Sequence, residues 1–240
     1  MRGLILATQF LTRLPTPRVA DFEAADLSRC AVWFPAVGLI IGALLAALAW
    51  VAGGQPAMLA AMLLLGLWTW VTGGLHLDGL ADLADALGAA HGRPERFLEV
   101  LKDPHLGSFG VLALVTMLLA KFVMLALLPA TSLAALLLIP AWARLGPLVW
   151  VWWLPPLHGG MGDRFAWQRQ PMAMLSWLAM LAVASLWFSP RLLIAPILII
   201  AWGLFLKRRL GGQCGDALGA GIEMVELVLL AAIVAYPVLG

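Results

Sequence analysis

Charge is the scarcest commodity in this sequence: of 240 residues only 12% are Asp, Glu, Lys or Arg, while 63% are hydrophobic. Soluble domains run near ~45–50% apolar and ~25% charged, which excludes an ordinary water-soluble fold. A chain this short cannot hide so much Leu, Ala, Val and Trp within itself, so a lipid bilayer must cover the rest. Cysteine is scarce too. Cys30 and Cys214 are far apart and show no metal-ligand spacing, so they read as two isolated reduced thiols. The 15 basic and 13 acidic residues nearly balance and form no clustered basic face, which leaves no nucleic-acid partner. The N-terminus does not read as a secretory leader either. The apolar stretch Gly3–Leu11 is short, is interrupted by Thr8 and Gln9, and lacks a small-residue cleavage pattern. It reads as an interfacial helix stopped by Pro15 and Pro17. No internal repeat is evident, and residues 1–240 read as a single integral membrane domain.

What is present is a series of long apolar runs. Crossing ~30 Å of hydrocarbon takes about 20 mostly apolar residues. Runs at 31–52, 56–75, 109–128, 132–153, 172–189, 191–206 and 219–239 meet that need. The expectation is therefore an all-α, polytopic transmembrane bundle of about seven spans, with a tight hairpin at Ser189–Arg191. The polar segments 1–30, 76–108, 154–171 and 207–218 then share one side of the membrane. They carry Arg2, Arg13, Arg18, Arg29, Arg93, Arg96, Lys102, Arg164, Arg169, Lys207, Arg208 and Arg209, against Arg191 alone on the other side. Lys and Arg favour the cytoplasmic side. The N-terminus, these loops and any interfacial helices are expected to face the cytoplasm from the inner membrane, with the C-terminus outside.

Three constellations carry chemistry. In the segment His76–Asp85, a helix places Asp78, Asp82 and Asp85 at i, i+4 and i+7 on one face. Like charges so spaced repel, and carboxylates at a membrane boundary are costly. A hard divalent cation such as Mg²⁺ among them relieves both problems; a solvated acidic face or a partner for a helix dipole is the plainer alternative. His76 reads as a ligand, a general base or an interfacial imidazole, although Mg²⁺ prefers oxygen ligands.

The second constellation runs from Gly211 to Glu226, where Asp216, Glu223 and Glu226 stand at i, i+7 and i+10 on one helical face. Intramembrane carboxylates suggest function; the alternative is structural pairing with Lys121 or Arg144, which also lie within apolar runs. The third is Leu101–Gly110, where a charged segment leads into a glycine-flanked helix start whose N–H groups suit phosphate oxygens. Acidic residues, basic residues and Gly-rich helix starts together point to chemistry on a phosphate or pyrophosphate.

The strings His76-Leu77-Asp78-Gly79-Leu80-Ala81-Asp82 and Leu210-Gly211-Gly212-Gln213-Cys214-Gly215-Asp216-Ala217-Leu218-Gly219-Ala220 resemble the cobalamin synthase family, the adenosylcobinamide-GDP ribazoletransferases of the end of vitamin B12 assembly. Phe10-Leu11-Thr12-Arg13-Leu14-Pro15-Thr16-Pro17 and Lys102-Asp103-Pro104-His105-Leu106-Gly107 resemble it too, in order along nearly the whole chain. One departure is Asp85-Ala86, where the family commonly has Asp-Gly.

The resemblance implies a Mg²⁺-dependent membrane transferase. Its substrates are adenosylcobinamide-GDP and α-ribazole or α-ribazole 5′-phosphate, and GMP is released. It implies metal at Asp78 and Asp82, with Asp85 and Asp216 completing the site. Glu223 is then a further ligand or the base, and His76 a candidate catalytic group. Arg13, Lys102, Gly107 and Arg209 are candidates for phosphate contacts. The lipid bilayer is a partner in any case, and the reading is compatible with an oligomer.

Two other readings stand beside it. A CDP-alcohol phosphotransferase also uses an Asp-rich helix at the membrane surface, but its Asp-Gly-x-x-Ala-Arg spacing is absent, since Asp82 follows Asp78-Gly79-Leu80-Ala81. A secondary transporter would use Glu223, Glu226, Lys121 and Arg144 as a midplane relay, yet such proteins often show repeats.

Overall fold

The computed structural model describes residues 2–17, 19, 24–90, 94–101, 103–129, 131–157 and 170–235. Arg18, Arg93, Lys102, Arg164 and Arg169 lie outside the described residues. The described residues form an all-helical chain without strands, joined at one isolated bridge between Pro156 and Gln213. An amphipathic α1 (Arg2–Leu11) lays Leu6, Ala7 and Leu11 against the bundle and ends before Pro15, as expected of an interfacial helix. A short α2 (Ala24–Cys30) and a 3₁₀ turn lead into α3 (Phe34–Val51).

There follow α4 (Ala57–Thr72), α5 (Leu75–Ala90), α6 (Pro94–Val100), α7 (Ser108–Ala126) and α8 (Leu133–Trp153). The last three helices are α9 (Pro171–Phe188), α10 (Ala195–Arg209) and α11 (Gly215–Val234). A 3₁₀ turn at Pro190–Ile194 joins α9 to α10, and both helices pack on α8 more than on each other, unlike the tight hairpin expected at Ser189–Arg191. Among the described residues six helical stretches are long and apolar enough to cross a membrane, and a bent pair, α4 with α5, makes up to seven.

That pair departs from the simple span expected at 56–75. Helix α4 ends at Thr72 because Gly73 and Gly74 both adopt left-handed backbone (φ 63° and 74°), which side chains disfavour. The chain then turns by 85° into α5. With 16 residues, α4 is only about 24 Å long. The turn thus interrupts the span early and leads straight into the acidic helix.

Helices α8 and α11 are the most enclosed, and α7, α9 and α10 present most of their surface outward. Leu112, Leu119, Met172 and Trp187 are exposed, as suits side chains that meet lipid. The centre is tied by close backbone approach. Gly38 and Gly42 of α3 form a small-residue pair four apart. A Cβ on Gly38 would stand 2.5 Å from the Pro140 carbonyl oxygen and from the Ala141 Cα, and one on Gly42 would overlap the Leu137 backbone of α8. Buried indole N–H groups add cross-links: Trp142 donates to Ser185 Oγ (2.9 Å), Trp150 to the Ile199 carbonyl (2.7 Å) and Trp202 to the Ala217 carbonyl (3.0 Å).

Candidate active site

The acidic helix α5 lies across the start of α11. A Cβ on Gly79 would meet the Cα and carbonyl oxygen of Asp216 at 2.9 Å, and one on Gly219 would meet the Cα of His76 at 3.4 Å. The absence of side chains at Gly79 and Gly219 lets the two backbones touch, and it draws Asp216 up to the turn of α5 that carries Asp78 and Asp82. The loop before α11 is fixed as well. Leu157 N–H donates to the Gln213 carbonyl (2.9 Å), and Gln213 N–H donates to the Pro155 carbonyl (2.9 Å). Gly211, with φ 73°, makes the turn that this bridge requires.

Asp78 is exposed, while Asp82 and Asp216 are half-buried. The negative charges of Asp78, Asp216 and Asp85 all reach the Asp82 carboxylate. No Lys or Arg among the described residues forms an ion pair with Asp78, Asp82 or Asp216. Like charges gathered without a counter-ion are unfavourable at a membrane boundary. The donor set is all oxygen, which is the chemistry of a hard divalent cation. No group of three acidic, His or Cys side chains among the described residues stands close enough to hold a metal ion by itself.

The fourth aspartate has a different local role. Asp85 is buried and accepts hydrogen bonds from the N–H groups of Gly107 (2.7 Å) and Gly110 (2.9 Å) at the start of α7. It caps that helix from a neighbouring one, and both of its oxygens are engaged. Gly107 is thus occupied by a carboxylate of the protein itself. A Cβ at Gly107 would stand within 3.1 Å of both Asp85 oxygens, so that position has no room for a side chain. Nearby, Asp103 accepts from the His105 N–H (3.0 Å) and pairs with His105 Nδ1 (2.7 Å); those bonds hold its carboxyl below the usual carboxylate range.

Glu223 is not brought to the aspartates. Seven residues along α11 from Asp216 is a rise of about 10 Å, and Glu223 is held there in a buried ion cluster. Lys121 Nζ of α7 donates to Glu223 Oε2 and to Glu226 Oε2, both at 2.6 Å. Arg144 Nη1 of α8 donates to Glu226 Oε1 (2.7 Å) and to the Pro140 carbonyl (3.0 Å). Lys121 also sits over the Trp68 ring at 4.6 Å. The two anions are both paired, which is the pairing alternative for Glu223 and Glu226, while Arg144 Nε and Nη2 are buried without a hydrogen-bond partner among the described residues. His76 is buried between this cluster and Gly219, and neither ring nitrogen has a hydrogen-bond partner among the described residues.

Arg13 joins the acidic site from another element. Its N–H donates to the Val71 carbonyl (2.8 Å), and its side chain lies against Gly73, where a Cβ would stand 2.6 Å from Nε. Arg13 and Asp78 border one open recess between the end of α1, the α4–α5 turn and α7. Arg209 is exposed at the last turn of α10, and Lys102 lies outside the described residues. Sequence reasoning missed this recess because its walls come from segments 100 residues apart. The Gly73-Gly74 pair was the only local sign of it.

Fold and site together define a polytopic helical membrane protein with an acidic centre where α5 crosses α11, unpaired among the described residues. The family model described as cobalamin-5-phosphate synthase matches residues 3–234, and the chain belongs to that family. It is 58% identical to the adenosylcobinamide-GDP ribazoletransferase of Laribacter hongkongensis, over 98% of each chain. It is 53% identical to the protein of that name from Novosphingobium aromaticivorans, over 96% of this chain and 95% of the relative. With the one from Thiobacillus denitrificans it shares 51%, over 96% and 94%. No solved structure matches the chain.

Proposed function

We propose that the protein is an adenosylcobinamide-GDP ribazoletransferase acting at the end of vitamin B12 biosynthesis. In this reaction a hydroxyl oxygen of α-ribazole, or of its 5′-phosphate, attacks the cobinamide-side phosphorus of adenosylcobinamide-GDP. A new P–O bond forms, the bond to GMP breaks, and the hydroxyl proton passes to a base or to solvent. The observation that carries the site assignment is the approach of Asp216 to the turn of α5 that bears Asp78 and Asp82, with no cation among the described residues paired to them.

Mg²⁺ suits these residues. It commonly takes one or two carboxylates and completes its octahedron with water and substrate phosphates, so a cage of three protein ligands is not needed. Asp78 and Asp82 are the proposed holders, with Asp216 beside them, and the bound ion would neutralise charge on the pyrophosphate. Asp85 supports them by fixing α7 against α5. Arg13 faces the same recess as Asp78 and is the proposed phosphate contact. Glu223 serves through the ion cluster, by fixing α11, and His76 serves by filling the α5–α11 contact. The basic residues of the site-bearing loops favour a cytoplasmic active site in the inner membrane.

The test is turnover by the full chain in lipid nanodiscs. Adenosylcobinamide-GDP with α-ribazole or its 5′-phosphate should yield GMP and a cobalamin product in equal amounts, dependent on added Mg²⁺. A CDP-alcohol run in parallel should give no CMP. Release of CMP without any cobalamin product would overturn the assignment.

A further inference from the structure

The recess beside Asp78 has two unlike walls. Leu114 and Leu118 of α7, with Phe10 at the end of α1, make one side apolar. Arg13, the bare backbone of Gly74 and the Asp78 carboxylate bring polar groups to the other, beside Leu75 and Leu77. It is an open recess of about 660 Å³, in the ~300–1,000 Å³ range of sites that take one compact organic ligand.

The walls are held in place. Phe10 stacks on Phe34 with ring centroids 5.9 Å apart and planes 15° apart. Arg13 is tethered by its own N–H to Val71 and lies along Gly73, and no carboxylate among the described residues forms an ion pair with its guanidinium. Nothing stands within 4 Å of where a Cβ on Gly74 would be, so the backbone there faces open space.

We infer that this recess is the acceptor pocket, which takes the benzimidazole riboside, while the cobinamide nucleotide lies outside it on the open surface. The inference rests on the functional reading above. The two substrates differ greatly in size. A corrinoid that also carries an adenosyl group and a nucleotide far exceeds a compact ligand, whereas a nucleoside fits whole. They differ in polarity as well. A dimethylated aromatic base is flat and apolar and matches Phe10, Leu114 and Leu118. The ribose end, with or without a phosphate, matches Arg13 and the Gly74 backbone. Seated so, the attacking ribose hydroxyl points toward Asp78. The pyrophosphate of the donor then approaches from the side of Asp82 and Asp216.

The experiment uses the full chain in nanodiscs, with acceptor binding measured by titration calorimetry and KM measured for each substrate separately. Leu118→Trp fills the recess and should raise the acceptor Kd and KM about tenfold or more, leaving the donor KM unchanged. Leu114→Phe should act in the same direction, so that the outcome does not hang on one variant folding. Arg13→Gln should weaken the 5′-phosphate form more than α-ribazole itself. A rise in donor KM with acceptor KM untouched would assign the recess to the donor and overturn the inference. Acceptor binding indifferent to both α7 variants would overturn it too. If the wild-type protein binds the riboside at a Leu118-sensitive site yet makes no GMP, the pocket stands and the proposed reaction fails. Normal turnover with indifferent variants sinks the pocket alone.

Discussion

Gly79 of α5 rests directly on the backbone of Asp216 in α11, so close that a methyl group at position 79 would stand 2.9 Å from the Asp216 Cα and carbonyl oxygen. Backbone atoms at such a contact cannot give way as a flexible side-chain tip can. Gly79→Val should therefore push α11 away and move Asp216 by a fraction of an ångström or more relative to Asp78 and Asp82. A misplacement of about 1 Å costs on the order of 10²-fold in rate. The expected result is a transfer rate lower by about that factor in protein that still inserts and elutes as one species, read by GMP release.

Asp85 separates from the other three aspartates by its partners. Its oxygens cap the start of α7 through Gly107 and Gly110. Asp85→Ala leaves those N–H groups without a partner and should cost about 0.5–2 kcal/mol of stability. Asp78→Asn and Asp216→Asn should leave unfolding nearly unchanged while lowering activity. Thermal unfolding in detergent, beside turnover, distinguishes the two patterns.

The cluster of Lys121, Glu223, Glu226 and Arg144 is enclosed, and removing one member strands its partners. Glu226→Gln should destabilise the protein by about 3–5 kcal/mol, since Lys121 and Arg144 both lose a counter-charge. Lys121→Met should be comparably harmful alone and should be largely relieved by Glu223→Gln in the same chain. Unfolding midpoints of the single and double variants measure that coupling. If the carboxylates instead acted as catalytic bases, stability would hold and turnover alone would fall.

At the centre of the bundle, Gly42 of α3 faces the Leu137 backbone of α8. Gly42→Leu should part the two helices, at a cost of about 1–3 kcal/mol for overpacking. Gly66, with nothing within 4 Å of its would-be Cβ, should accept Ala without loss, and the pair of unfolding midpoints checks the contrast.

The helical class and the approximate span count were legible because a bilayer demands length and apolarity, and both can be counted along a chain. The break after Thr72 was less so. Gly73 and Gly74 are visible in the sequence, but membrane helices tolerate glycine, and only the left-handed backbone at both positions shows a true turn. The shared face of Asp78, Asp82 and Asp85 follows from helical spacing. That Asp85 is spoken for depends on a partner 22 residues away, which no local pattern reveals. For Glu223 and Glu226 the sequence offered function and pairing side by side. Contacts spanning 102 and 82 residues decide where their charges go. The recess is the least legible feature, since Phe10, Gly74 and Leu118 become neighbours only in the folded bundle.

The account centres on the acidic face of α5, and Asp82 is the residue toward which the charges of Asp78, Asp85 and Asp216 all converge. The most direct measurement is Mg²⁺-dependent GMP release from adenosylcobinamide-GDP by Asp82→Asn, compared with wild type in the same nanodiscs. The account predicts that release falls to background while the variant inserts and unfolds like wild type. Full activity in Asp82→Asn would contradict it and remove the acidic helix from the reaction.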